Sequence, residues 1–144
     1  MFYGEYLHSL DDKDRIVLPS KFREISRKNK ITNFYLTRGL DKCLFLFPSE
    51  EWIKIEKTFK EFPFTKEENR AFARLLFSGA TEVQLDSQGR FLIPQYLKEF
   101  ASINKEIIII GVSNRIEIWA KELWEQYYQL NKQKFEEIAQ KLMI

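Results

Sequence analysis

The sequence predicts an α+β fold in which two similar halves interlock about a pseudo-twofold axis around one barrel-like core, with helices flanking it. Three observations point there. Leu10-Asp11-Asp12-Lys13-Asp14-Arg15-Ile16-Val17-Leu18-Pro19 is echoed 75 residues later by Leu85-Asp86-Ser87-Gln88-Gly89-Arg90-Phe91-Leu92-Ile93-Pro94, in the frame Leu-Asp-x-x-x-Arg, three apolar residues, Pro. Gly39, Leu44, Leu46 and Trp52 are matched by Gly111, Ile116, Ile118 and Trp124, now 72 residues apart, so the first copy holds three extra residues between Arg15 and Gly39. Each half, at about 70 residues, is near the lower limit for an unaided core, and no Gly/Ser/Pro-rich stretch separates the two. The expected organisation is a first repeat over 1–64, a connecting helix over 65–79 and a second repeat over 80–144.

The elements follow from local chemistry. Phe2 to Leu7 reads as a strand, 10–15 as a tight turn and Ile16 to Leu18 as a short strand. Pro19, with no N–H to leave unpaired, suits the first helical position of a helix over Ser20 to Lys28 that turns Phe22 and Ile25 to one side. Phe34 to Arg38 and Cys43 to Phe47 form a hairpin across the turn Gly39 to Lys42. Ser49 is placed to cap a helix carrying Trp52, Ile55, Phe59 and Phe62 at helical spacing, which Pro63 ends. Thr65-Lys66-Glu67-Glu68 has the capping-box pattern; the helix after it should turn Phe72, Leu75 and Leu76 inward and stop at Gly79.

The second copy repeats the plan: strands Thr81 to Leu85 and Phe91 to Ile93, a helix from Pro94, and a hairpin of Ile107 to Gly111 with Arg115 to Trp119. Ile107 to Ile110 lacks alternation and should be buried on both sides, whereas Ile116 to Trp119 alternates like a strand with one solvated face. One closing helix, about Lys121 to Leu142, should bring Trp124, Tyr128, Phe135, Ile138 and Leu142 onto one stripe, with a packed end at Leu142-Met143-Ile144. Trp52, Phe59, Phe62, Trp124 and Tyr128 look surplus to a two-unit core and are expected at or beside contacts between copies.

Bulk properties narrow the function. Apolar residues make up 44% of the chain and include thirteen Phe, enough for a packed core, yet no apolar run approaches a membrane span. The N-terminus shows no leader pattern and the lone Cys43 sits in an apolar run, so a cytoplasmic compartment is expected. A net charge of +2 excludes a globally basic nucleic-acid binder, but seven basic residues against two acidic ones lie between Lys13 and Lys30. That distribution leaves room for one basic face.

The paired motif carries the chemistry. Arg15 and Arg90 each follow a tight turn and precede an apolar strand that anchors the backbone. An arginine held this way can fork two N–H donors onto guanine O6 and N7, or onto phosphate. Asp11 and Asp86, four residues earlier, can accept turn N–H groups and orient it. A single copy reads as a turn-closing ion pair without a ligand; two copies on a symmetric scaffold point to double-stranded DNA. Lys13, Lys21 and Arg23 are candidate phosphate contacts, or ordinary surface charges. Asp14 stands before Arg15 where Gly89 stands before Arg90, and its carboxylate is expected to repel phosphate, although the basic neighbours of Arg15 favour the first copy.

At these residues the chain resembles the MraZ family of bacterial transcriptional regulators of the division and cell wall gene cluster. The likeness covers essentially all 144 residues. It rests on Phe2-x-Gly4-Glu5-Tyr6-x-His8-Ser9-Leu10-Asp11, Pro19-x-x-Phe22-Arg23, Phe77-Ser78-Gly79-Ala80, Gly111-Val112-x-Asn114-Arg115-Ile116-Glu117-Ile118-Trp119 and the doubled Asp-x-x-x-Arg. The resemblance implies two tandem AbrB-like or MazE-like half-barrels forming one pseudo-twofold double-split β-barrel in one chain. It also implies a closed ring of copies presenting the motif turns to short repeated G-containing promoter elements, a repressor's role at its own operon, and a nucleoid-associated location.

Catalysis is not expected. His8 is the only histidine, and Ser9 beside it points the other way along a strand. Asp11, Asp12 and Asp14 lack the spaced ligands of a calcium loop, and no glycine-rich phosphate loop occurs, so neither metal nor cofactor is expected. The competing reading is a protein-interaction module of the MazE antitoxin type, binding an acidic partner through the basic turns.

Overall fold

The computed structural model describes residues 1–143. Its strands are β1 (Phe2–Ser9), β2 (Arg15–Val17), β3 (Asn33–Arg38), β4 (Leu44–Pro48), β5 (Thr81–Gln84), β6 (Arg90–Leu92), β7 (Glu106–Ser113) and β8 (Arg115–Ala120). Its helices are α1 (Ser20–Lys28), α2 (Ser49–Lys60), α3 (Glu67–Gly79), α4 (Gln95–Phe100), α5 (Lys121–Lys132) and α6 (Phe135–Lys141).

The strand order shows how the halves interlock. The larger sheet runs β1-β7-β8-β4-β3-β5, antiparallel throughout, and β2 pairs with β6 in a separate ribbon. The order is palindromic between repeats: β1 of the first half lies against β7 of the second, and β5 of the second against β3 of the first. Pairing registers place the pseudo-twofold axis. Phe45 faces Glu117 at the centre of β4–β8, and Ile16 faces Phe91 at the centre of β2–β6. The three extra residues of the first copy fall in α1, which has 9 residues where α4 has 6.

The main core lies between sheet, ribbon and the two short helices. Ile16, Leu18, Phe22, Phe34, Leu46, Phe91, Leu97, Ile109 and Ile118 meet there. Each such side chain removed from water stabilises the fold by about 1.5–3 kcal/mol. Two smaller clusters cover the sheet's other face. Cys43, Ile108, Ile110 and Trp119 lie under Leu123 and Trp124 of α5, while Phe47, Trp52 and Leu76 pack with Tyr35 and Phe77 beneath α2 and α3. Ile107 to Ile110 is therefore buried on both sides.

Helix starts differ by a residue from the sequence reading. Pro19, Pro48 and Pro94 are the cap residues, each with extended ψ, and Ser20, Ser49 and Gln95 begin the helices without a side-chain cap bond. The capping box at Thr65 does not form: Lys66 is the cap, and the side chains of Asn69 and Arg70 reach back to carbonyls of Pro63, Phe64 and Thr65 instead. α3 is rotated from its expected face, burying Leu76 and leaving Phe72 and Leu75 exposed. The β3 side chains set that rotation, since Thr37 donates to the Leu76 carbonyl and Arg38 to that of Leu75.

Three other expectations are corrected. β8 has no solvated face: Glu117 is buried and accepts hydrogen bonds from Arg115 Nε at 2.9 Å and Trp119 Nε1 at 3.0 Å, which satisfies a carboxylate that could not otherwise leave water. The closing helix breaks at Gln133–Lys134 into α5 and α6, where the chain runs off the sheet; no residue of either helix is fully buried. Leu142 and Met143 are exposed rather than packed, and Ile144 lies outside the described residues.

Candidate nucleic-acid interface

The two motif turns are built alike, bond for bond. In the first, Asp11 Oδ1 accepts the backbone N–H groups of Lys13 and Arg15, both at 2.9 Å, and Oδ2 accepts Arg15 Nε at 2.7 Å. In the second, Asp86 Oδ1 accepts from Gln88 at 2.9 Å and Arg90 at 2.8 Å, and Oδ2 accepts Arg90 Nε at 2.8 Å. Backbone bonds from Asp14 to Asp11 and from Gly89 to Asp86 close the turns. The i+3 residue takes a positive φ in each, 58° at Asp14 and 77° at Gly89. Glycine adopts that conformation freely, and Asp tolerates it better than most residues.

This geometry fixes each arginine by its Nε. The two terminal guanidinium nitrogens donate to no described residue, and the side chains are 29% and 26% exposed. The backbone N–H of the motif arginine, helped by its side chain and the i+2 N–H and opposed by partial burial, holds both Asp carboxyls below the usual carboxylate range. Both aspartates thus stay ionised, and oriented, across the physiological range.

The ribbon brings the turns together. β2 pairs with β6 so that Arg15 lies opposite Leu92 and Val17 opposite Arg90. Leu18 N–H bonds to the Gly89 carbonyl, and Ile93 N–H to that of Asp14, so each turn is also tied to the strand end of the other repeat.

Lys13 and Lys21 are exposed, but Arg23 is not free as the sequence suggested. Its Nε donates to the Leu18 carbonyl at 3.0 Å, and its Cδ occupies the space a Cβ on Gly89 would need. With Arg27 it lines a groove beside Asp86 and Ser87. The basic helix of the first repeat therefore serves the second repeat's turn. Lys98, the pseudo-twofold counterpart of Arg23, approaches Asp14 in return, 2.8 Å from its Oδ1. Sequence proximity placed Arg23 with the wrong turn because strand exchange moves each helix across. The exposed aliphatics Val17 and Leu92, on the arginine face, were also missed; only the strand alternation could have flagged them.

Elsewhere no described group of three or more His, Cys, Asp or Glu is arranged to hold a metal ion, and no described helix is long and apolar enough to cross a membrane. Burial raises the Cys43 thiol far above its ordinary pKa, leaving it unreactive.

The sequence matches the family profile described as "MraZ protein, putative antitoxin-like" twice, over residues 1–75 and 76–143. A relative named transcriptional regulator MraZ, from Clostridium tetani (strain Massachusetts / E88), is 51% identical over 142 residues, which span 99% of this chain and 96% of that protein.

Proposed function

The chain belongs to the MraZ family, and from that premise we propose that it is a sequence-specific DNA-binding transcriptional regulator, a repressor of its own division and cell wall gene cluster. Paired Asp-x-x-x-Arg turns on a closed ring of copies would do the reading. The observation that carries the proposal is the pair of arginines, each held at Nε with both terminal nitrogens directed to no described partner. Such a group is organised to donate a fork to guanine O6 and N7. Lys13 and Lys21 supply phosphate contacts around it, joined by Arg27 of the groove and, in part, Arg23.

The exposed apolar surface supports assembly, through Phe62 and Tyr128 as the sequence suggested and through further residues that it did not. Trp52 is buried, so it is core; Phe62, Phe64, Phe72 and Leu75 of the α2–α3 side are exposed, as are Leu130, Phe135, Ile138 and Leu142 of the α5–α6 side. Two unlike apolar surfaces on one chain suit head-to-tail contacts, which close into a ring when the rotation permits. Weak binding by one unit then becomes strong binding to a repeated array.

A gel shift titrated with salt, on DNA from upstream of the gene for this chain, tests the reading. Affinity should fall steeply with salt and exceed that for unrelated duplex. Light scattering at micromolar concentration should show an oligomer; a compact monomer there would remove the ring. The antitoxin-type alternative draws on the exposed Leu142 and Met143 and on the family description. It would stand instead if no duplex shifts even at low salt.

A further inference from the structure

The ribbon exposes two side chains that packing does not account for. Ile16 and Phe91 point into the core, so Arg15, Val17, Arg90 and Leu92 share the opposite face. Val17 is 37% exposed and Leu92 56%. They are pseudo-twofold equivalents, and each stands directly across from a motif arginine. One exposed aliphatic residue is unremarkable in any protein. Two in equivalent positions, at the middle of a face that otherwise carries guanidinium groups, ask for a partner that is anionic yet offers apolar groups.

Duplex DNA meets that description in its major groove, which is wide enough for a two-stranded ribbon and displays the C5-methyl of thymine. Resting on the DNA-reading function proposed above, we infer that Val17 and Leu92 are specificity residues that pack against thymine methyl groups next to the guanines read by Arg15 and Arg90. The spacing suits this. Alternate residues on a strand stand about 6.7 Å apart, close to two base-pair steps of about 3.4 Å. Cross-strand neighbours stand about 4.5–5.5 Å apart. Each aliphatic tip therefore falls about one to two base pairs from an arginine contact. Leu92, longer and more exposed, carries the larger share.

The test is a matched pair of duplexes. DNA from upstream of the gene is amplified once with dTTP and once with dUTP, which removes every thymine methyl and keeps base pairing. The parent protein should bind the uracil duplex about fourfold more weakly per contacted thymine. Leu92→Ala and Val17→Ala should each shrink that ratio toward one, whatever their absolute affinity for either duplex. Leu92→Gln, which keeps side-chain length, should behave like Leu92→Ala. Equal parent affinity for both duplexes, or an undiminished ratio in every variant, overturns this inference and leaves DNA binding intact. A change of oligomeric state in the variants without a change in the ratio also overturns it, placing the two residues between copies. Failure to bind either duplex would bring down the proposed function along with it.

Discussion

The Lys98 ammonium lies 2.8 Å from Oδ1 of Asp14, joining the short helix of the second repeat to the motif turn of the first. Its counterpart is the stacking of Arg23 on Gly89. Each repeat thus sends a cation from its helix to the turn of the other. Where the turn has a glycine the cation packs on the backbone; where it has a carboxylate the cation pairs with it. Asp14 is therefore balanced rather than an unopposed repulsive charge beside Arg15.

A two-by-two cycle on this pair follows. Lys98→Met leaves the Asp14 carboxylate unpaired at the interface and should weaken DNA binding. Asp14→Gly releases an ammonium and should strengthen it, steepening the salt dependence by about one phosphate contact. The double variant should return close to the parent, because removing both charges restores the local charge balance of the turn and the two opposed effects cancel. Each single change should move stability by no more than about 1 kcal/mol, since the pair is partly exposed and glycine relieves the positive φ. Anisotropy titrations at several salt concentrations read the cycle; a double variant that binds like either single one would show that charge balance at this turn does not set affinity.

Arg15→Ala and Arg90→Ala should each cost about 1–3 kcal/mol per contact and relax sequence preference. Arg90 should be at least as sensitive as Arg15, because Arg23 and Arg27 stand beside the second turn. This reverses the order that sequence neighbours suggest. Lysine should not rescue either position, having no fork and no Nε for the aspartate. Unchanged affinity of both alanine variants, with folding and assembly intact, would leave the motif assignment without support.

What the sequence revealed divides by range. The duplication, most element boundaries to within a residue or two, and the Asp–Arg turns were legible because their determinants are local: the aspartate reaches N–H groups only two and four residues on. That the halves interlock was expected, but which strands pair across them was not legible, since the pairings of β1 with β7 and β5 with β3 join distant segments. That is why Arg23 was credited to the wrong turn. Periodicity likewise found stripes on α3 and α5–α6 but not what covers them: Phe72 was read as inward yet faces solvent, and so does Phe135 of the second stripe. Ile116-Glu117-Ile118 alternates as a half-solvated strand does; only the position of Arg115 and Trp119 shows that the carboxylate is satisfied inside.

Gly111 sits opposite Gly4 in the β1–β7 pair. A Cβ there would run into backbone atoms of Phe2 and Tyr3, which have no freedom to swing aside. Gly111→Ala should therefore destabilise the chain by about 1–3 kcal/mol or more through forced separation of β1 from the sheet. Thermal melting reads the loss. A melting temperature equal to the parent's would show that β1 can shift without penalty.

His8 reports on the same strand by its pH dependence. Burial lowers its pKa below 6.5; the Val17 backbone opposes that effect and the nearby Arg23 charge adds to it. The folded state thus binds its proton less readily than the unfolded state. The stability His8 contributes should be fully present above pH 6.5, fall as pH drops from there to its folded pKa, and level off below it. His8 is the only histidine, so His8→Gln should flatten the profile over that interval. Denaturant unfolding between pH 5 and 8 measures the slope, and an NMR titration of the imidazole gives the midpoint. A midpoint above 6.5 would mean that burial does not dominate at this site and would reverse the expected slope.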